Sequence, residues 1–173
     1  SRKMNYAEYL KTHFGRKFVQ VVASDVLNDV DNNLPCLLDL VENSTDSVVL
    51  WRSAWSLQFV AEERPQLLVP YFSKLEKLAI KNGVGDGYLR ILLGIIKKIF
   101  PLQSEPINVL FLNFILENCA NPQRTVGTRV QCVYLAKVYT HDYSELKQEL
   151  QLIFSEMRNH EPNLPKSLVV ALR

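Results

Sequence analysis

Three stretches of this chain can be laid over one another: RSAWSLQFVAEE from Arg52, RILLGIIKKIFP from Arg90 and RVQCVYLAKVYT from Arg129. Their starts lie 38 and then 39 residues apart, close to the period of paired-helix repeats. Weaker members begin at Arg16 and Lys166. Each strong member is followed by a turn and a second apolar stretch, as in PQLLVPYFSKLEKLA, EPINVLFLNFILENCA and YSELKQELQLIFSEM. A two-helix unit cannot bury its apolar face alone, so such units stack on their neighbours, and the expected fold is an all-α solenoid.

The local pattern agrees. Leu146, Leu150, Ile153, Phe154 and Met157 form one helical stripe, with Glu145, Lys147, Gln148, Glu149, Gln151 and Glu156 opposite. No segment shows sustained alternation of period two between hairpin turns. Turn-forming clusters punctuate the chain at DNNLP, NSTDS, ERP, NGVGDG, PLQSEP, ANPQR, HDYS and HEPNLP. The pattern predicts about ten helices, near 5–14, 17–30, 34–43, 47–63, 66–82, 87–100, 106–119, 124–140, 144–158 and 163–172, in a single domain over 1–173. Pro35, Pro65 and Pro106 stand where a first turn tolerates a missing N–H, and Asp46, Asp86 and Ser144 are expected N-caps. Pro70 implies a kink or a true helix start near it.

Composition narrows the function classes. With 47% hydrophobic residues and a net charge of +2 from 20 basic and 18 acidic side chains, bulk charge points neither to nucleic acid nor to a membrane surface. Cys36, Cys119 and Cys132 are widely spaced and odd in number, which fits buried thiols in a reducing compartment. The first residues show no apolar signal core, and no apolar run is long enough for a spanning helix, so a cytoplasmic location is the expectation.

Angles of about 100° per residue assign faces within the aligned helices. Trp55, Leu93 and Cys132 fall on one expected buried arc, with Leu57, Ile95 and Tyr134 and with Ala61, Ile99 and Val138. The opposite arc carries Arg52, Ser56, Arg90, Gly94, Lys98, Arg129, Val133 and Lys137, read as a partner-binding concave face. The arginines also admit a structural reading, a ladder in which Arg52 pairs with Asp46 or Asp86.

Other constellations read as scaffold. Trp51 and Trp55, four apart, would suit an aromatic clamp, but the expected buried arc takes Trp55 into the core. Glu62 and Glu63 point about 100° apart and do not converge as an acid–base pair. NGVGDG at 82–87 lacks the strand–helix context of a phosphate cradle and reads as a Gly83 C-cap followed by an Asp86 N-cap. His13, His141 and His160 share no metal-ligand spacing, and no serine has a nucleophile-elbow context, so no catalytic, metal or cofactor site is expected.

DSVVLWRSAWSL resembles the second half of a HEAT repeat, with Asp46 and Arg52 in the Asp and Arg positions of such repeats. RSAWSLQFVAEERPQLLVPYFSKL, LRILLGI and VGTRVQCVYLAKVYTHDYSELKQELQLI resemble small bacterial ARM/HEAT-type proteins without an assigned activity. The resemblance covers most of the chain after about residue 16 and implies a right-handed α-α superhelix. Val84 and Gln123 stand where the repeat's acidic residue is expected in the next two units. The resemblance supplies no activity; the extended surface of a solenoid points to a non-enzymatic scaffold, monomeric or weakly dimeric, whose concave face binds a protein or an acidic peptide. The alternative is nucleic-acid binding, from a looser similarity to HEAT-like alkylpurine DNA glycosylases.

Overall fold

A computed structural model describes residues 3–81 and 85–173. Among them are ten α-helices and two 3-10 segments, with no strand: α1 (Tyr6–Thr12), α2 (Arg16–Asn28), α3 (Val30–Asn43), α4 (Ser47–Glu63), α5 (Phe72–Ile80), α6 (Asp86–Ile99), α7 (Val109–Cys119), α8 (Val126–Thr140), α9 (Ser144–His160) and α10 (Lys166–Ala171). The 3-10 segments are Pro65–Tyr71 and Phe100–Leu102. The expected Gly83 cap and the position of Val84 lie outside the described residues.

Local chemistry explains the boundaries. Asp46 accepts from the backbone N–H groups of Val48 at 2.9 Å and Val49 at 3.2 Å, which starts α4. That helix stops at Glu63, because Arg64 precedes a proline and is pushed out of helical geometry, to φ −141° and ψ 72°. Pro65 and Pro70 both lie in the 3-10 segment, and the α-helix starts only at Phe72, the true-start alternative for Pro70. Two expected caps shift by one residue: Asp86 and Ser144 are the first residues of α6 and α9. Pro35 lies inside α3, which begins five residues earlier than Pro35 at Val30. The early start works because Asn33 is buried and its side-chain amide donates to the Asp25 carbonyl at 2.9 Å, closing the end of α2. Pro106 precedes α7 by three residues, and Asn108 supplies the cap instead, accepting from the Phe111 N–H at 3.1 Å.

The chain forms two compact units, Ser1–Leu78 with Gly94–Gln103, and Ala79–Leu93 with Ser104–Arg173. In the first, α4 is the central helix and packs on α1, α2 and α3. Its core includes Leu10, Val22, Val26, Leu37, Leu57 and Val60, all fully buried. In the second, α8 packs on α7, α9 and α10 around Phe111, Ile115, Cys132, Leu135, Tyr139 and Phe154. Each fully buried leucine of this kind contributes roughly 2 kcal/mol of transfer free energy before entropy is counted. Buried serines on α4 are satisfied within the helix: Ser53 and Ser56 donate to the carbonyls of Leu50 and Arg52 at 2.9 and 3.0 Å.

Candidate functional site

The burial pattern reveals the true equivalence of the repeated helices. Val49, Ser53, Ala54, Ser56, Leu57 and Val60 of α4 are buried, as are Tyr88, Leu92, Leu93, Ile95, Ile96 and Ile99 of α6. The same holds for Thr128, Cys132, Val133, Leu135, Ala136 and Tyr139 of α8. These sets match at spacings of 39 and 40, one residue longer at each step than the arginine alignment. One residue turns a helix face by about 100°, so Arg52, Arg90 and Arg129 do not share a face.

The expected concave row therefore comes apart. Ser56 and Val133 are fully buried and present nothing to a partner. Arg52 turns inward within the first unit. One of its guanidinium nitrogens donates to the Leu10 carbonyl at 2.6 Å, with the His13 and Lys11 carbonyls at 3.3 and 3.4 Å. The group also lies 5.0 Å from the Phe14 ring centroid. It thereby satisfies the C-terminal carbonyls of α1. It pairs with neither Asp46 nor Asp86, the partners expected of it: Asp46 meets Lys11 at 3.4 Å, and Asp86 meets Arg124 at 2.6 Å.

Arg129 does an equivalent task in the second unit. It is buried, its Nε donates to the Cys119 carbonyl at the end of α7 at 3.0 Å, and its two terminal nitrogens hold Glu161 at 2.7 and 2.8 Å. The hydrogen bond from Arg129 holds the Glu161 carboxyl below its ordinary 4.5, against the opposing push of burial. For Asp86, burial raises the carboxyl, but the Thr125 N–H at 2.7 Å and the Arg124 guanidinium outweigh it and leave the group below 3.8. Arg90 and Lys98 are exposed, while Gly94 and Lys137 are partly exposed; the Lys137 ammonium lies 5.7 Å from the Tyr134 ring centroid.

The surface stripe left on α4 is aromatic. Trp51, Trp55 and Phe59, at i, i+4 and i+8, are all half-buried. The indoles stack with centroids 5.5 Å apart and an interplanar angle of 29°, and Phe59 follows 6.4 Å from Trp55. The Arg16 guanidinium covers Phe59 at 5.3 Å. Trp55 was expected in the core; the one-residue register shift brings it to the surface, and Ser56 takes the buried place. Tyr134, the α8 residue matching Trp55, is likewise exposed although the expected arc buried it.

Beside the stripe runs a groove of about 490 Å³ between α2 and α4, lined by Arg16, Gln20, Ala23, Ser24, Leu27, Asn28, Phe59, Glu62 and Glu63. Gln20, Ser24 and Asn28 mark successive turns of α2. The sequence reading passed over Phe59 and this polar row, although the four-residue spacing of Trp51, Trp55 and Phe59 was there to be read. Glu62 and Glu63 are exposed, as a solvated helix end requires, yet they also form the groove's wall.

Among the described residues no group of three or more His, Cys, Asp or Glu side chains is placed to hold a metal ion. No helix among them is long and apolar enough to cross a membrane. No curated protein and no solved structure matches the chain. A family model described as a HEAT repeat domain matches residues 6–172, which is nearly the whole length. With its helices paired at a period of 39 to 40 residues, the chain belongs to the HEAT repeat family.

Proposed function

We propose that this protein is a non-catalytic scaffold that binds a protein or peptide partner on the solvent-facing stripe of α4. The observation that carries the reading is the half-exposed Trp51–Trp55–Phe59 stack beside an open groove. Aromatic side chains bring large contact area at low entropic cost, and tryptophan is enriched where interfaces draw most of their binding energy. HEAT repeats present extended surfaces of this kind.

Within each unit some of the expected cations stay open to an acidic partner: Lys98 in the first, Arg90 and Lys137 in the second. Arg129 spends its donors internally, and one Arg52 nitrogen closes the end of α1. The test is quantitative partner capture from a native cell extract by three proteins of verified helicity: wild type, Trp55→Ala, and the double reversal Lys98→Glu with Lys137→Glu. Loss of specific partners with Trp55→Ala alone supports the aromatic stripe. Loss with the reversal alone moves the site to the cations. Capture indifferent to both removes the reading.

A further inference from the structure

The stripe on α4 has a chemical character set by how its rings are turned. Trp51 and Trp55 stack at 29°, and Phe59 follows Trp55 at 34°, so the rings turn their faces toward one another along the helix. The Arg16 guanidinium covers the Phe59 ring as well. What remains for a partner is ring edges, and an aromatic edge carries partial positive charge where the face carries negative. The indole N–H groups add to this, since neither has an acceptor among the described residues.

Two cations border the rings. One Arg52 nitrogen bonds the carbonyls at residues 10–13, and the guanidinium lies 5.0 Å from the ring of Phe14, which is 68% exposed. Two residues on, Arg16 lies over Phe59. The link between α1 and α2 therefore runs beside α4 from Arg52 to Phe59, and it sets a guanidinium at each end of that span. Positions seven apart on a helix share a face and lie about 10.5 Å apart. Among the described residues Nη2 of Arg52 has no acceptor, and Arg16 has no hydrogen bond or ion pair. The two indoles and the two guanidinium groups thus offer donors only.

A stacked nucleobase needs open ring faces, and so does a lysine or methylated ammonium. Those faces are largely spent within the chain. Resting on the reading of α4 as a partner-binding stripe, we infer that it takes an acidic amphipathic helix of a partner protein. Apolar side chains of that helix lie on the edges of Trp51, Trp55 and Phe59. Two of its carboxylates, seven residues apart, reach Arg52 and Arg16, because helices lying side by side share the same rise. Glu62 and Glu63, exposed past Phe59, bound the site and repel a further carboxylate at that end.

Trp51 and Trp55 are the two tryptophans of the chain, so intrinsic emission reports occupancy of this face directly. The probes are blocked alanine-based peptides of about fifteen residues, long enough to hold some helix. One carries a pair of leucines between glutamates seven apart; its counterparts have glutamine or lysine in place of glutamate. A short oligothymidylate is the fourth probe. The expected result is a saturable emission change with the glutamate peptide, about tenfold tighter than with the glutamine peptide, weakened by salt and absent with lysine. Arg16→Gln, at an exposed position and with helicity checked by circular dichroism, cuts that preference to about threefold or less. Glu62→Gln with Glu63→Gln keeps or raises it. Equal binding of the three peptides, a preference for lysine, or a glutamate preference unchanged in Arg16→Gln overturns the inference. Oligothymidylate binding as tight as the glutamate peptide overturns it in favour of nucleic acid. Silence with every probe overturns it too, while partner capture sensitive to Trp55 still decides the broader reading by itself.

Discussion

Arg129 and Glu161 form a two-pronged ion pair in which the arginine side chain is 4% exposed and the carboxylate 26%. That asymmetry sets the cost of breaking it. Glu161→Gln leaves a buried guanidinium with neutral acceptors only, the Cys119 carbonyl and the amide oxygen, and an expected loss of about 2 kcal/mol follows, discounted from the fully buried case because the carboxylate keeps some water. Because the folded carboxyl lies below its ordinary 4.5, its contribution is complete above that value and fades as pH falls through the lower folded value. Urea melts of wild type and variant should therefore differ at pH 7 and converge toward pH 3.

Removing the Arg52 guanidinium should release α1 locally. A seven-residue helix is too short to persist by itself in water, and Arg52 closes its C-terminal carbonyls. Arg52→Ala is expected to cost roughly 1.5–3 kcal/mol and to speed amide exchange in Tyr6–Thr12 more than in α4. Arg52→Lys should recover part of the protection, since an ammonium can donate to the same carbonyls but lacks the planar group that lies over the Phe14 ring.

Gly127, in the first turn of α8, underlies the side chain of Arg90: a methyl group there would lie 2.9 Å from Nη1 and 3.1 Å from Cδ. Arg90 is exposed and free to swing away. Gly127→Ala should thus be neutral or stabilising by up to about 1 kcal/mol, through the smaller entropy of the unfolded chain. A thermal melt checks the sign, and a clear drop in Tm would mean that Arg90 is held where it lies.

One thiol should react in the native protein and three after denaturation. Cys36 is exposed, whereas burial pushes Cys119 up to about 11 and Cys132 up to about 12. Both buried thiols stay protonated and out of reach near neutral pH. Counting thiols with a chromogenic disulfide reagent, with and without guanidinium, measures this.

Much of the scaffold was written locally. Asp46 starts α4, Pro65 stops it, and the stretch around Pro70 delays α5; each effect acts within one turn, so a single sequence contains it. The faces were harder to read. Arg52, Arg90 and Arg129 look equivalent as letters, yet each step between the true repeats is one residue longer than the arginine spacing, and the error carried Trp55 into the expected core and Ser56 out of it. Partners were harder still. The acceptors of Arg52 are backbone carbonyls about forty residues away, and no side-chain pattern records a carbonyl.

The anchoring of Arg129 also bears on the order in which the second unit comes apart. Arrays of repeats ordinarily fray from a terminus, one unit peeling after another. Here Glu161, just past α9, is fastened to α8, and Arg158 of α9 donates to the Leu172 carbonyl just past α10 at 2.8 Å. α10 itself packs on α8. The last two helices are thus sewn to the same central rod and to each other. They should detach together in one step, and no state with α10 loose and α9 still seated should accumulate.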